Sequence, residues 1–233
     1  MTGDVAIIHG ELPSPAEIES IIAFRHPRGI VWIESLDGVT RTPRARLVFG
    51  EAGEVRHKED GYTFILDPQK VMFSMGNRME KRRISAVVRS RRVPERVADM
   101  FAGIGYFTIP LAGAGARVHA IEINPVAFGY LARNIEENHL GDNVTLSLGD
   151  CRERLDGKYD RIVMDHFAAI SMLPEALAHA KAGTVLHVHS IGEAQEQIRQ
   201  IVEGAGFSPS IEVHTVKKYR PHAWHVVHDV TLA

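Results

Sequence analysis

The chain has 233 residues, 45% hydrophobic and 24% charged, with a formal net charge of -2. That length supports one good-sized core with a small extra region, and the near-balanced charge excludes a generally basic nucleic-acid binder, so any RNA contact falls to a local patch. The lone cysteine, Cys151, excludes an internal disulfide, and no apolar run approaches the ~18 residues that a membrane span needs. The opening "MTGDVAIIHGELPSP" has no basic segment followed by an apolar stretch and a small-residue cleavage site, so no signal peptide and a cytoplasmic location are expected.

Residues 1–75 read as a small region rich in β structure. "LPSPAEIESIIAF" predicts a helix with Ser14 as N-cap and Pro15 at its first position. The stretch from Gly29 to Pro68 alternates in places and carries the turn signals "LDGV", "EAGE" and "EDGY", which predicts antiparallel strands. In "RMEKRRISAVVRSRRVPER" basic residues crowd a segment whose Met79, Ile84, Val87 and Val88 fit one helical face, and Pro94 ends it.

Residues 76–233 read as a second, ligand-binding domain. "RVADMF", "ARVHAIEI", "NVTLSLGD", "YDRIVMDH" and "TVLHVHS" are strands, separated by helices such as "NPVAFGYLARNIEENHL", where Asn124 is the N-cap and Pro125 follows. "SIEVHTVKKY" and "AWHVVHDVTL" close the chain as a strand pair joined by "RPH". Strictly alternating strands and helices predict a doubly wound, mostly parallel seven-stranded α/β sheet, its last pair open to antiparallel pairing.

In such a sheet a ligand sits beyond the carboxyl ends of the strands. "DMFAGIG" ends the first strand, and Gly103 and Gly105 let a ligand approach the backbone. Position 108 is Thr, so the third glycine of a dinucleotide fingerprint is missing. With Asp99 and Phe101 the loop instead resembles the D-x-F-x-G-x-G of S-adenosylmethionine-dependent transferases. Glu122, ending the second strand, suits ribose hydroxyls. Asp150, ending the third, suits an adenine amino group, with Cys151 alongside. The alternative for both carboxylates is a capping or turn role.

"DMFAGIGYFTIPLA", "IEINP", "GDCRE", "DRIVM" and "VKKYRPHAWHVVHDV" together resemble the archaeal wyosine-pathway tRNA aminocarboxypropyltransferases, over roughly residues 64 to 231. The related archaeal tRNA guanine-37 N1-methyltransferases share the fold. The resemblance implies a class I methyltransferase-like, Rossmann-like fold, making residues 76–233 the S-adenosylmethionine-binding transferase domain. It implies transfer of the 3-amino-3-carboxypropyl group of S-adenosylmethionine to carbon 7 of 4-demethylwyosine at position 37 of tRNA(Phe), with methylthioadenosine leaving. "FSMGNRMEKR" resembles the family's F-S-x-x-N-x-x-E-R. By that resemblance Ser74 and Lys81 contact the methionyl part of the donor. Lys81 stands where the motif has arginine, keeping the charge without the fork, and the adjacent Arg82 is a substitute. The methyltransferase relatives carry an N-L-P-like motif after the fourth strand. This chain has Asp165-His166-Phe167, which also departs from the Gly-Tyr of the aminocarboxypropyl branch.

Asp165, at the fourth strand tip, is the candidate general base for the acceptor carbon's proton, with a helix-entry role as the alternative. His187 and His189 are candidates to line the acceptor pocket. The thirteen histidines form no evident closed ligand set, so no metal is expected. Arg78, Arg82, Arg83 and Arg89, with Lys217 and Lys218, form the candidate patch for the tRNA backbone near the anticodon loop; an exposed basic helix is the plain alternative. Tyr219 is a candidate for base stacking and Trp224 is expected in the core. Two other functions remain compatible: a guanine-37 methyltransferase and a non-catalytic nucleotide-binding RNA module.

Overall fold

The computed structural model describes residues 1–233, with every side chain but that of Met75. Helix α1 (Pro15–Arg25) starts where expected: the Glu17 N–H donates to the Ser14 hydroxyl and the Ser14 N–H donates back to the Glu17 carboxylate, a reciprocal capping box. This helix carries the chain from β1 (Val5–His9) to β2 (Gly29–Asp37), which therefore run parallel. The five-residue β1 was not anticipated, because no turn signal or alternation sets it off. β3 (Thr42–Gly50) returns antiparallel to β2. β4 (Val55–Glu59) and β5 (Tyr62–Leu66) form a separate hairpin. Asp60 and Gly61 both take positive φ, 53° and 88°, as a tight two-residue hairpin turn requires.

Helix α2 (Arg78–Arg89) corrects the expected apolar face. Ile84 and Val88 are buried together with Lys81 and Ser85, the i, i+3, i+4, i+7 set of one face. Met79 and Val87 fall off that face and are 70% and 36% exposed.

The seven-stranded sheet has the order β11-β12-β10-β9-β6-β7-β8. Its parallel strands are β6 (Arg96–Asp99), β7 (Arg117–Glu122), β8 (Val144–Leu148), β9 (Arg161–Met164) and β10 (Val185–Ile191). β11 (Pro209–Arg220) and β12 (Ala223–Leu232) are antiparallel, β12 pairing with both β11 and β10. The connecting helices are α3 (Thr108–Gly113), α4 (Pro125–Glu137), α5 (Cys151–Arg154), α6 (Leu173–Ala178) and α7 (Gln195–Gly204). From β6 the chain winds out through β7 and β8, then crosses back to β9 and β10. Strand order thus reverses beside β6, and a crevice opens there at the carboxyl ends.

One apolar cluster covers one side of the sheet and runs from Val5 and Val31 through Phe64 and Phe73 to Ile84, Phe107 and Leu131. A second gathers Met100, Cys151, Tyr159, Leu173, Ile198 and Val202. The fully buried Asn134 of α4 joins hairpin to sheet. Its amide oxygen accepts from the Ile65 N–H at 2.6 Å, and its NH2 donates to the carbonyls of Ile65 and Ile104 at 3.1 and 2.9 Å. The glycine turn and the β4–β5 hairpin are thereby held to one side chain. No helix among the described residues is long and apolar enough to cross a membrane.

Candidate active site

The turn after β6 takes its shape from two glycines. Gly103 has φ +57° and Gly105 φ +104°, conformations costly for any residue with a Cβ. Space is also lacking: a Cβ on Gly103 would lie 2.4 Å from the Tyr106 ring, and one on Gly105 2.7 Å from Ile109. The turn is pinned by Glu122 at the end of β7. One Glu122 oxygen accepts from the Gly103 N–H and the other from the Asn124 N–H, both at 2.7 Å. Each carboxylate oxygen keeps a second lone pair, so bracing the turn does not exhaust its acceptors. Burial raises the Glu122 pKa, opposed by these backbone bonds.

Asp150 caps α5 by accepting from the Arg152 N–H at 2.9 Å, and its carboxylate also takes the Arg152 guanidinium. That guanidinium, with smaller help from the backbone, holds the Asp150 carboxyl below its usual range. The structural roles set against Glu122 and Asp150 in the sequence are therefore both present, and both residues also line a single cavity of about 260 Å³. Phe101, Gly103, Cys151 and Asp165 line it as well. Cys151 is buried against Met172, and burial pushes its thiol up to about 11, so it meets a ligand as a neutral, weakly polar group.

On the opposite wall the Phe101 ring stacks on His166 at 5.1 Å. His166 Nδ1 accepts from the Ala168 N–H at 3.0 Å. Its Nε2 therefore carries the proton, and the neutral ring is a hydrogen-bond donor. Asp165 Oδ1 lies 2.7 Å from His189 Nδ1, and the Asn77 amide donates to its carboxylate at 3.1 Å. Burial alone would raise the Asp165 pKa, but the facing His189, then His225 and Asn77, hold it below the carboxylate range. Behind the turn, fully buried Asp99 accepts from the Thr108 hydroxyl at 2.7 Å. Burial, then the Asp165 and Glu122 charges, push Asp99 up to about 7. Three carboxylates, Glu122, Asp150 and Asp165, thus line the cavity together with Arg41 and Arg152, of which Arg152 is paired with Asp150.

Three expected donor contacts lie off this cavity. Gly105 backs onto Ile109 and Leu131. Ser74 accepts from Lys217 Nζ at 3.3 Å and is not on the wall. Lys81 is buried, ion-paired with Glu59 between the Phe64 and Phe73 rings, and faces a different cavity. The helical face that buries Ile84 also buries Lys81, and Glu59, distant in sequence, neutralises it there.

The basic patch is likewise reshaped. Arg78 and Arg82 both bind Asp60. Arg83 bridges Glu80 and Asp229 at 2.7 and 2.6 Å, tying α2 to β12, so its charge is spent inside the fold. Lys217 packs over Gly76 towards Ser74, and burial lowers its pKa. Arg89 and Lys218 are exposed, with no ion pair among the described residues. Trp224, expected in the core, is 49% exposed, close to the 50% of Tyr219, because it follows the β11–β12 turn on the outward side.

Sequence reasoning missed the roof of the cavity. The β2–β3 turn brings Val39, Thr40 and Arg41 onto it. Asn124 Nδ2 donates to the Thr40 carbonyl at 3.2 Å, and the Arg41 guanidinium lies 5.7 Å from the Phe167 ring centre. "LDGV" marked this turn, but nothing local says where its tip packs. Neither His187 nor His189, the sequence candidates for the acceptor pocket, is on the cavity wall, and His187 has no place beside it. Instead its Nε2 meets the Arg161 guanidinium at 2.6 Å and its Nδ1 meets Asp229 at 2.6 Å, within a buried charge network.

A model of the TRM5/TYW2 methyltransferase domain matches residues 55–208. The chain is 37% identical to the tRNA(Phe) (4-demethylwyosine(37)-C(7)) aminocarboxypropyltransferase of Methanocaldococcus jannaschii, over 97% of this chain and 94% of that relative. Among solved structures, M. jannaschii TYW2 in complex with AdoMet is 31% identical with a TM-score of 0.77, covering 99% of this chain and 97% of that one. The M. jannaschii tRNA m1G37 methyltransferase is 28% identical with a TM-score of 0.85, covering 100% of this chain and 71% of that one.

Proposed function

This chain belongs to the TRM5/TYW2 methyltransferase-domain family, and on that premise we propose that it transfers the 3-amino-3-carboxypropyl group of S-adenosylmethionine to carbon 7 of 4-demethylwyosine at position 37 of tRNA(Phe). The observation that carries this reading is the 37% identity to an aminocarboxypropyltransferase over 97% of the chain. Asp165-His166-Phe167 lacks the proline of the methyltransferase relatives, which counts against that branch, and lacks the Gly-Tyr of the aminocarboxypropyl branch as well.

The adenosine lies in the carboxyl-end cavity. Glu122 receives the ribose hydroxyls on its free lone pairs, Asp150 faces the adenine amino group beside Cys151, and Phe101 closes the side. A sulfonium bears three carbons, and the one held in line with the nucleophile is attacked. Here the methylene of the amino-acid arm is that carbon. The C–S pair returns to sulfur, giving neutral methylthioadenosine, while the new C–C bond displaces a proton from the acceptor carbon. Asp165 and His166 stand on the acceptor side. A carboxyl held below its usual range keeps protons poorly, so Asp165 takes the displaced proton only in passing and hands it on to water. His166 presents its Nε2–H to an acceptor atom of the base. Ser74, Lys81 and Lys217 all lie off the cavity wall and reach the methionyl arm only if the turn before α2 shifts.

The tRNA is engaged by Arg89 and Lys218 on phosphates, with the exposed Tyr219 and Trp224 for stacking near the anticodon loop. The test is mass spectrometry of the position-37 nucleoside after reaction with precursor tRNA. Gain of an aminocarboxypropyl group is expected. Gain of a methyl group would indicate a guanine-37 methyltransferase, and no gain despite donor binding a non-catalytic module.

A further inference from the structure

Asp165, His189 and His225 come from β9, β10 and β12, which are neighbours in the sheet. Met164 is in register with Val188, so Asp165 and His189 follow side by side, and His225 stands opposite Ile191. His189 Nδ1 lies 2.7 Å from Asp165 Oδ1 and 2.9 Å from His225 Nε2. The three donor atoms fall within 4.8 Å of one another. Both imidazoles are fully buried, while Asp165 opens onto the cavity.

Counting protons exposes a deficit. His189 Nδ1 can carry at most one hydrogen, yet it faces both a carboxylate oxygen and an imidazole nitrogen. The outward nitrogens, His189 Nε2 and His225 Nδ1, have no hydrogen-bond partner among the described residues. A second cluster in the same sheet shows how the fold meets such a demand with its own side chains. There Glu80, His187 and Asp229 also converge, but Arg83 takes both carboxylates and Arg161 meets His187. No arginine or lysine bonds to the Asp165 cluster among the described residues; Lys217, the cation beside it, is bonded to Ser74.

We propose that Asp165, His189 and His225 form a binding site for a divalent transition metal of the Zn2+ type, with an open coordination position towards the cavity. Two imidazoles and one carboxylate are the donor set such ions take in sites that keep a position open. Ligands about 2.0–2.2 Å from a tetrahedral ion stand about 3.3 Å apart, so the two pairs now at 2.7 and 2.9 Å need to part by about half an ångström, and the third pair already lies within 4.8 Å. All three inward lone pairs are then used. The site does not depend on which group the enzyme transfers.

The test is titration of the metal-stripped full-length protein with Co2+, read by its visible ligand-field absorption, followed by displacement with Zn2+. One equivalent is expected to bind. His225→Gln and Asp165→Asn should each lower affinity at least about 100-fold, more than loss of an outer-shell partner does. His187→Gln, in the arginine-filled cluster, should leave the Co2+ spectrum unchanged. If His225→Gln does not fold, Asp165→Asn on the cavity wall decides. Absence of a Co2+ spectrum in the unmodified protein, or binding that survives both ligand substitutions, would overturn the site and leave a hydrogen-bonded Asp-His-His chain.

Discussion

Glu122→Gln separates a donor-binding residue from a brace of the glycine turn. The carboxylate is 8% exposed, and its oxygens take the Gly103 and Asn124 N–H groups at 2.7 Å. An amide NH2 in place of one oxygen sets a donor against one of those donors. A hydrogen bond to a charged acceptor contributes about 1.5–3 kcal/mol, so unfolding should become easier by about that amount. If the remaining lone pairs also hold the ribose, S-adenosylmethionine loses a second bond of the same kind. At about 1.4 kcal/mol per decade, that is a roughly 10- to 100-fold weaker Kd. Isothermal titration reads the affinity and thermal melting reads the brace. A lowered Tm with a Kd within about threefold of the unmodified protein would refute the ribose contact and leave Glu122 with the bracing role alone.

Asp99 predicts a pH signature. Its folded pKa of about 7 lies above the value of about 3.9 expected in the unfolded chain. Between those values the folded state keeps a proton that the unfolded state has lost, so this residue's contribution to stability falls as pH rises from about 4 to about 7. Asp99→Asn should remove that fall, and the difference between urea-unfolding curves of the two proteins across that window measures it; identical pH slopes would contradict the assignment. Arg83→Ala should cost about 2–4 kcal/mol by leaving Glu80 and Asp229 unpaired, with tRNA affinity unchanged, as melting and filter binding would show. Arg89→Ala should do the reverse, leaving Tm unchanged while weakening tRNA binding and lowering its salt slope by about one. Asn134→Leu should destabilise by about 3–5 kcal/mol, because the Ile65 N–H and two buried carbonyls lose their partner; a smaller loss in chemical denaturation would mean that water replaces the amide.

The doubly wound sheet was readable because its signals are local. Asn124 and Pro125 mark the start of α4, and the Asp99–Gly105 turn announces itself by its glycines. Glu122 and Asp150 followed from their places at strand ends, a rule of topology rather than of contact. What stayed hidden depends on partners far away in sequence. Nothing around Lys81 says that Glu59 will bury with it, and nothing around Arg83 points to Asp229. "LDGV" marked a turn, yet its packing of Arg41 above Phe167 is a tertiary event. Trp224 looked like core by residue type, but its position just after the β11–β12 turn faces outward. Asp165 was singled out as an acceptor-side residue, whereas its convergence with His189 and His225 emerges only from the register of three strands.

The most direct measurement is chromatography of the spent donor after incubation with S-adenosylmethionine and tRNA(Phe) carrying the precursor base at position 37. The account predicts methylthioadenosine, formed in proportion to modified tRNA. S-adenosylhomocysteine as the product would contradict it.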